Sequence, residues 1–160
     1  MPISQSMCTS FKAEILLAVH DFRVTGGDTF KLALYTSSSN IDANTVAYGG
    51  ATSTNEITGT NYTAGGGTLT RLGVATVPTN AIAGTGYVDF QDLTFTNATI
   101  TARGALIYNN TPSATDNSGA TLTNAAVAAL DFGSDKVSTA GDFTIIFPAP
   151  ANTTAIIRIA

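Results

Sequence analysis

Few side chains in this sequence can act in acid, base or nucleophilic catalysis. The single histidine, His20, is followed directly by Asp21, a pair that in principle supplies a general base and a carboxylate to orient it. Adjacent residues of a helix do not face each other, however, so we do not expect the two side chains to meet. We interpret His20 as a residue at the end of a helix, where the helix dipole favours a positive charge.

The sequence also contains one cysteine, Cys8. One histidine and one cysteine do not supply the nitrogen and sulfur ligands of a zinc site. A single cysteine forms no internal disulfide, which fits folding in a reducing cytoplasm. We therefore expect Cys8 to be a small apolar residue near the start of a helix rather than a reactive thiol.

Two motifs are similar to parts of nucleotide-binding sites but lack the rest of the pattern. The tripeptide "DFG" at 131–133 has no "HRD" motif before it, so we expect Asp131 and Gly133 to end a strand and begin a turn. The glycines of "AGGGTLT" (64–70) lack the lysine and the spacing of a phosphate-binding loop. They predict a turn.

The carboxylates complete the search for a reactive site. Asp89 lies near Asp92, and three further aspartates lie between 131 and 142, but neither group has the spacing of a calcium loop with its terminal Glu. We interpret them as solvated acids in turns. We find no catalytic residues, no metal ligands and no cofactor-binding motif, and we predict that the protein is not an enzyme.

Composition limits the classes of partner. Charged residues make up 11% of the 160 residues, the net charge is -4, and the seven Lys and Arg residues are scattered singly. With no basic patch to neutralise phosphates, we expect neither nucleic acid nor an anionic membrane as partner.

The N-terminal apolar run is interrupted by Glu14 and His20 and has no basic region before it, so it predicts neither a signal peptide nor a transmembrane helix. Neutral polar side chains are easier to desolvate than charged ones, which suits contact with other subunits.

The elements that hold these residues are mostly strands. One segment, "SFKAEILLAVHDF", has apolar residues at helical spacing and predicts a helix over about 9–21, capped by Thr9 or Ser10 and preceded by an N-terminal arm, 1–8. After it, "TFKLALYT" (29–36) predicts a central strand. The turn-rich segment 37–67 predicts a packed excursion held by its isolated apolar residues.

The remainder of the chain continues this pattern. Residues 68–78 predict a strand with a bulge at Gly73, and "NATITARGALIYNN" (97–110) predicts two short strands separated by a bend or bulge at Gly104. A loop at 111–123 precedes the run 125–133, and the runs 141–150 and 153–160 are apolar enough to pair with each other. About seven or eight short strands after one helix predict a mainly β protein, a single antiparallel β-sandwich or jelly-roll-like domain over 1–160.

Several segments also resemble those of a known protein family. In chain order they are "MCTSFKAEILLAVHDF", "TFKLALYTSS", "NEITGTNYTAGGGTL", "FTNATITARGALIYN", "AVAALDFGSDKVSTAGDFTIIFP" and "AIIRIA". In this order, and over nearly the whole chain, they resemble small virion structural proteins of tailed bacteriophages. The resemblance implies a virion component and does not choose between head and tail.

Within that family, the composition favours a capsid cement or decoration protein, which must be small, free of disulfides and able to bind many equivalent sites. We expect it to clamp neighbouring subunits of the major capsid protein, as a dimer or trimer on the capsid surface, after assembly in the host cytoplasm. The expected contact residues come from the N-terminal arm and the loops: Pro2, Ile3, Ile41, Val46, Tyr48, Ile57, Tyr62 and Tyr108. The alternative, which is equally consistent with the sequence, is that these loops are solvated and contact no partner.

Two alternatives stay open at this point. The first is a subunit of the tail or of a fibre adaptor, which forms ring-closing contacts between copies. The second is a carbohydrate-binding β-sandwich for host attachment, which needs an exposed aromatic platform. Tyr48, Tyr62 and Tyr108 are its candidates, in a chain that has no tryptophan.

Overall fold

The computed structural model describes residues 3–72, 81–82, 84–112, 115, 119 and 121–159. These residues contain one short helix and nine strands, and the strands form two antiparallel sheets. In chain order the elements are β1 (Ser6–Met7), α1 (Thr9–Leu16), β2 (Phe30–Tyr35), β3 (Gly67–Thr68), β4 (Arg71–Leu72), β5 (Ala81–Ile82), β6 (Thr85–Phe90), β7 (Leu93–Asn109), β8 (Ala125–Ile145) and β9 (Ile157–Ile159). The predicted mainly β fold with one N-terminal helix is confirmed, and the two sheets are consistent with a β-sandwich.

The first sheet has the strand order β1-β8-β7-β2-β3, and in the second sheet β6 pairs with β4, β5 and β9. The strand predicted at 29–36 is confirmed as β2, which lies between β7 and β3. The two C-terminal runs do not pair with each other, because β9 lies antiparallel to β6 with Val88 opposite Ile157. Of the strand predicted over 68–78, β3 and β4 are observed, and the bulge predicted at Gly73 falls outside the described residues.

The β7–β8 pair is the longest feature of the first sheet. The two strands have 17 and 21 residues, so the division of β7 into two strands and the predicted strand end at "DFG" are both wrong. The irregularity predicted at Gly104 is observed, as a register shift between Ala102 and Gly104. The irregularity lies in β8: from Ala102 to Gly104 the pairing advances two residues along β7 but five along β8, from Lys136 to Asp131. Gly133, with φ 74°, lies in this bulge.

The helix is shorter than predicted, because it ends at Leu16 instead of near 21. The Val19 amide donates to Glu14 O at 3.0 Å and the Ala18 amide to Ile15 O at 3.1 Å, and Ala18 has φ 56°. These two bonds form a Schellman motif, which usually has glycine at the left-handed position. Since alanine occupies that position here, the sequence carried no stop signal where the helix ends.

The start of the helix is close to its predicted position. Its N-cap is Cys8, without a side-chain capping hydrogen bond, so the caps predicted at Thr9 or Ser10 are wrong. The helix buries Phe11 as expected, but it also buries Glu14 and leaves Leu16 87% exposed.

The β2–β7 pair lies at the centre of the buried core, and both of its faces are covered. Phe30 is paired with Asn109, and on that face its ring packs against Phe22 from the segment after α1, 4.3 Å between ring centroids. On the other face Tyr108 stacks on Tyr48 from the 37–67 excursion. Each of the two segments that cover these faces contributes to a cluster of polar side chains.

Candidate functional site

The first polar cluster lies under the 37–67 excursion and is centred on Glu56. Its carboxylate accepts hydrogen bonds from the Tyr48 hydroxyl (2.8 Å), the Tyr62 hydroxyl (2.7 Å) and the Gly65 amide (2.7 Å). The Tyr108 hydroxyl donates to Gly65 O at 2.8 Å, and the rings of Tyr48 and Tyr108 stack with centroids 4.6 Å apart. Glu56 thus joins three of the predicted contact residues into one network.

The hydroxyls of this cluster act as hydrogen-bond donors. Burial, together with the hydrogen bond to Glu56, raises the pKa of Tyr48 to about 12. Burial is also the main cause that raises the pKa values of Tyr62 and Tyr108. The stacked rings face each other rather than solvent, and Tyr108 is 1% exposed. The cluster holds the excursion against the sheet.

The second polar cluster lies on the opposite face of β7 and contains His20. Its Nε2 lies 2.7 Å from a carboxylate oxygen of Glu14, and its Nδ1 lies 3.1 Å from Nδ2 of Asn109. The same Asn109 nitrogen donates to Asp28 Oδ2 at 2.6 Å. Asp28 Oδ2 also accepts the Asp21 amide at 2.8 Å.

This arrangement corrects the interpretation of His20. Because the helix ends at Leu16, His20 lies in the segment after the helix, and its side-chain partner is Glu14 rather than Asp21. Both ring nitrogens are engaged and the side chain is fully buried. A general base must have a nitrogen free to take a substrate proton, so this imidazole is arranged for structure rather than for catalysis.

The predicted contact residues fall into three groups. Ile3, Ile41, Ile57 and Tyr108 are buried in the core, and Tyr48 and Tyr62 are partly buried against it. Val46 is 54% exposed, and Pro2 lies outside the described residues. The excursion is therefore packed as predicted. The exposed Val46 holds it through its main-chain oxygen, which accepts the Ala126 amide at 3.0 Å, and not through its side chain. The buried side chains leave little surface for a partner.

The remaining reactive groups are also placed for structure. Cys8 is fully buried, and burial raises the pKa of its thiol to about 12, which keeps it protonated and unreactive. Asp131 and Asp135 lie 3.1 Å and 3.9 Å from nitrogens of the Arg103 guanidinium. No group of three or more His, Cys, Asp or Glu residues in the described part of the chain is placed to hold a metal ion.

The sequence patterns did not single out one exposed surface, the outer face of the β7–β8 ribbon. We use this name for exposed side chains opposite the buried Phe95, Ala98, Ile100 and Ala102: Thr94, Thr96, Thr99, Thr101, Val137, Thr144 and Ile146. Thr101 is paired with Val137, and the hydroxyls of the pair Thr94 and Thr144 are 2.8 Å apart. The alternation of threonines with apolar residues in β7 was the signal that could have revealed it.

This outer face is almost without charge. From 94 to 101 and from 137 to 144 the charged residue is Asp142, whose carboxylate accepts the Asn97 amide at 3.2 Å. Val137 is 67% exposed and Ile146 is 77% exposed. A shallow groove lined by Thr99, Thr101 and Val137 continues to Thr58 of the excursion.

In the part of the chain that the structure describes, no helix has the length and hydrophobicity needed to span a membrane. Comparison of the chain with protein-family models, with curated proteins and with solved structures finds no match.

Proposed function

We propose that this chain is a virion structural protein of a tailed bacteriophage, most specifically a capsid cement or decoration protein that stabilises the head. The observation that carries the proposal is the outer face of the β7–β8 ribbon, which is long, exposed and almost uncharged. The family resemblance of the sequence supports the same class. In the polar clusters, the Glu56 carboxylate and both ring nitrogens of His20 are occupied by neighbouring groups of the chain.

The outer face is suited to contact with the major capsid protein. Threonine hydroxyls cost less to desolvate than charges, so covering a surface of this kind with a partner carries a small desolvation penalty. Val137 and Ile146 add apolar area at separate points along the ribbon. With many copies, as dimers or trimers on the particle, modest contacts add up through multivalency.

The two alternatives make different use of the chain. A tail or fibre-adaptor subunit would use the same outer face, so the position of the protein in the particle distinguishes it from a cement protein. A carbohydrate-binding protein would need the aromatic faces of Tyr48, Tyr62 and Tyr108. Two of these rings stack on each other and the hydroxyls of all three are engaged within the cluster, which disfavours that alternative.

The first experiment locates the protein in purified virions of a phage that encodes it. Antibodies against the recombinant chain follow its release as the particles are disrupted stepwise. We expect release together with the opening of the capsid shell. Release with tail fragments would contradict the cement function, and binding of the isolated chain to a glycan array would support host attachment instead.

The second experiment tests the surface itself. We expect Val137→Asp to abolish binding to capsids that lack the protein, because it places a charge on the outer face, at the residue paired with Thr101. The change should leave the free energy of unfolding within about 0.5 kcal/mol of the wild type, since the side chain is exposed. Val24→Asp, at a valine 56% exposed elsewhere on the chain, is the matched control and should bind normally. Equal binding by both variants would exclude the outer face.

A further inference from the structure

The orientation of the Asn109 amide is fixed by three neighbours. Its Nδ2 lies within hydrogen-bonding distance of His20 Nδ1 and of Asp28 Oδ2, while its Oδ1 accepts the Thr111 amide at 3.0 Å. Turning the amide over would place its oxygen against the Asp28 carboxylate and its NH2 group against the Thr111 N–H. Only the observed orientation satisfies all three contacts.

This orientation also fixes the tautomer of His20. Because Asn109 Nδ2 can only donate, His20 Nδ1 must accept and carries no proton. The ring proton is therefore on Nε2, where it is donated to Glu14 at 2.7 Å. With the side chain fully buried, no water is needed to complete this network.

A second proton on the imidazole cannot be accommodated without a rearrangement. It would occupy Nδ1 and point at the Asn109 NH2 group, so that two donors face each other. If the amide turns to offer its oxygen, it loses both the bond to Asp28 and the bond from the Thr111 amide. Whether the Asn109 side chain moves away from the new proton or turns over, it no longer holds the chain that leaves β7.

The charged groups around the imidazole come from three elements. Helix α1 contributes Glu14, and the segment between α1 and β2 contributes Asp28, with Asp21 bonded to it through its amide. From β4, the Arg71 guanidinium donates to the main-chain oxygen of Asp28. The Glu14 carboxylate contacts Nε2 of the ring, whereas the uncharged Asn109 amide contacts Nδ1.

We propose that His20 and Asn109 form a proton-sensitive latch, which couples protonation of the imidazole to release of the Thr111 main chain, two residues after the end of β7. Histidine is the side chain that ordinarily changes charge between about pH 5 and 8. At neutral pH the latch is closed, with Thr111 bonded to Asn109 and the Thr29 amide bonded to the Thr111 hydroxyl at 2.7 Å. In acid the Asn109 bond breaks and the Thr111 main chain loses this anchor. The latch depends on hydrogen-bond geometry alone and does not require the proposed function.

The test follows the protein by NMR between pH 7.5 and 5. In the wild type we expect the Thr111 amide to shift in step with the His20 ring signals and its exchange protection factor to fall about tenfold. The Ile57 amide, bonded to Leu34 O at 3.0 Å on the other face of β2, should keep its protection. In His20→Gln, whose carboxamide both donates and accepts without titrating in this range, the Thr111 response should disappear.

Three results would overturn the latch. Thr111 could stay unchanged while His20 titrates, or His20 could keep one protonation state until the fold is lost. The third is a Thr111 response in His20→Gln as large as in the wild type, which would show that a group other than His20 causes the response. The first two results come from the wild type, so they hold even where the variant does not fold.

Discussion

At the scale of single residues, this protein differs from an ordinary sandwich in the way it buries polar atoms. The carboxylate of Glu56 and the imidazole of His20 have complete hydrogen-bond partners. Asp89 is the contrast: it is fully buried, its Oδ1 accepts the Phe90 amide at 2.9 Å, and its Oδ2 has no partner among the described residues. The sequence alone leads to the interpretation of Asp89 as a solvated acid, because nothing local indicates that β4 and β9 pair with β6.

Asp89 should make stability depend on pH. Burial raises the pKa of its carboxyl, against the opposing effect of the Phe90 amide. A raised pKa in the folded state means that the favourable contribution is complete in acid and is lost as the pH rises above the unfolded value of about 3.9. Asp89→Asn does not titrate, so the free energy of unfolding of the variant should rise relative to that of the wild type as the pH rises from 4 to 8.

Urea denaturation across that pH range measures the difference. The control is Asp135→Asn, at a carboxylate 48% exposed, which should follow the wild-type profile closely. A constant offset between Asp89→Asn and the wild type at every pH would show that Asp89 has the same charge in the folded and unfolded states.

Glu56 provides a prediction of the opposite kind, since removing it leaves donors without an acceptor. In Glu56→Ala the hydroxyls of Tyr48 and Tyr62 and the Gly65 amide lose their common partner, which should cost about 3 kcal/mol of unfolding free energy. Glu56→Gln keeps an acceptor oxygen and should cost roughly half as much. Chemical denaturation distinguishes the two, and equal losses in both variants would mean that the negative charge, rather than the accepting oxygen, holds the cluster.

At the scale of elements, local patterns predicted the existence of structure better than its extent. The alternation in 29–36 predicted β2 because both faces of that strand are buried and its residues are correspondingly apolar. The ends of α1, β7 and β8 depend on contacts that no local pattern contains. Ala18 ends the helix in a conformation that alanine seldom adopts, and β8 absorbs an irregularity that the sequence seemed to place at Gly104 in β7.

The candidate site was predictable to the same limited degree. Tyr48, Tyr62 and Tyr108 were singled out by type, but two of them meet at Glu56, and Tyr108 bonds Gly65 O, only because the excursion folds back over the sheet. Ile3 was expected to contact a partner, and instead it is 5% exposed and packs near Gly104. An apolar residue in a polar segment has the same appearance whether its own core or another molecule covers it.

Gly104 yields the element-scale prediction. A Cβ added there would lie 2.3 Å from Leu130 O and 2.8 Å from Ile3 Cδ1. Since the oxygen belongs to the paired main chain of β8, Gly104→Ala must displace the strand and should cost about 3 kcal/mol of unfolding free energy. Gly86→Ala, in β6 with no atom within 4 Å of the added carbon, is the matched control and should cost less than about 0.5 kcal/mol. A mild effect at Gly104, measured by thermal or urea denaturation, would mean that β7 and β8 separate there easily.

At the scale of the whole molecule, the two halves of the β8 edge are protected differently. From Val127 to Ala129 the edge is apolar, and the arm covers it: Ser6 pairs with Ala129, and the Cys8 amide donates to Val127 O at 2.9 Å. Beyond Leu130, no strand among the described residues pairs with the outer edge. That half is interrupted by left-handed residues at Gly133 and Ala140, and bulges of this kind hinder edge-to-edge pairing. The covered half is the one that would otherwise associate.

Removal of residues 1–7 should therefore change the assembly state as well as the stability. The truncated chain loses the burial of Ile3 and the pairing of β1, a cost of about 3 kcal/mol, and it exposes an apolar edge of β8. Analytical ultracentrifugation over a range of concentrations should show association that the full chain does not undergo under the same conditions. Ile3→Ala is the control, because it removes the apolar side chain but keeps β1 on the edge, and it should lose stability without gaining association. If the truncated chain sediments like the full chain at every concentration, the arm stabilises the fold without protecting the edge of β8.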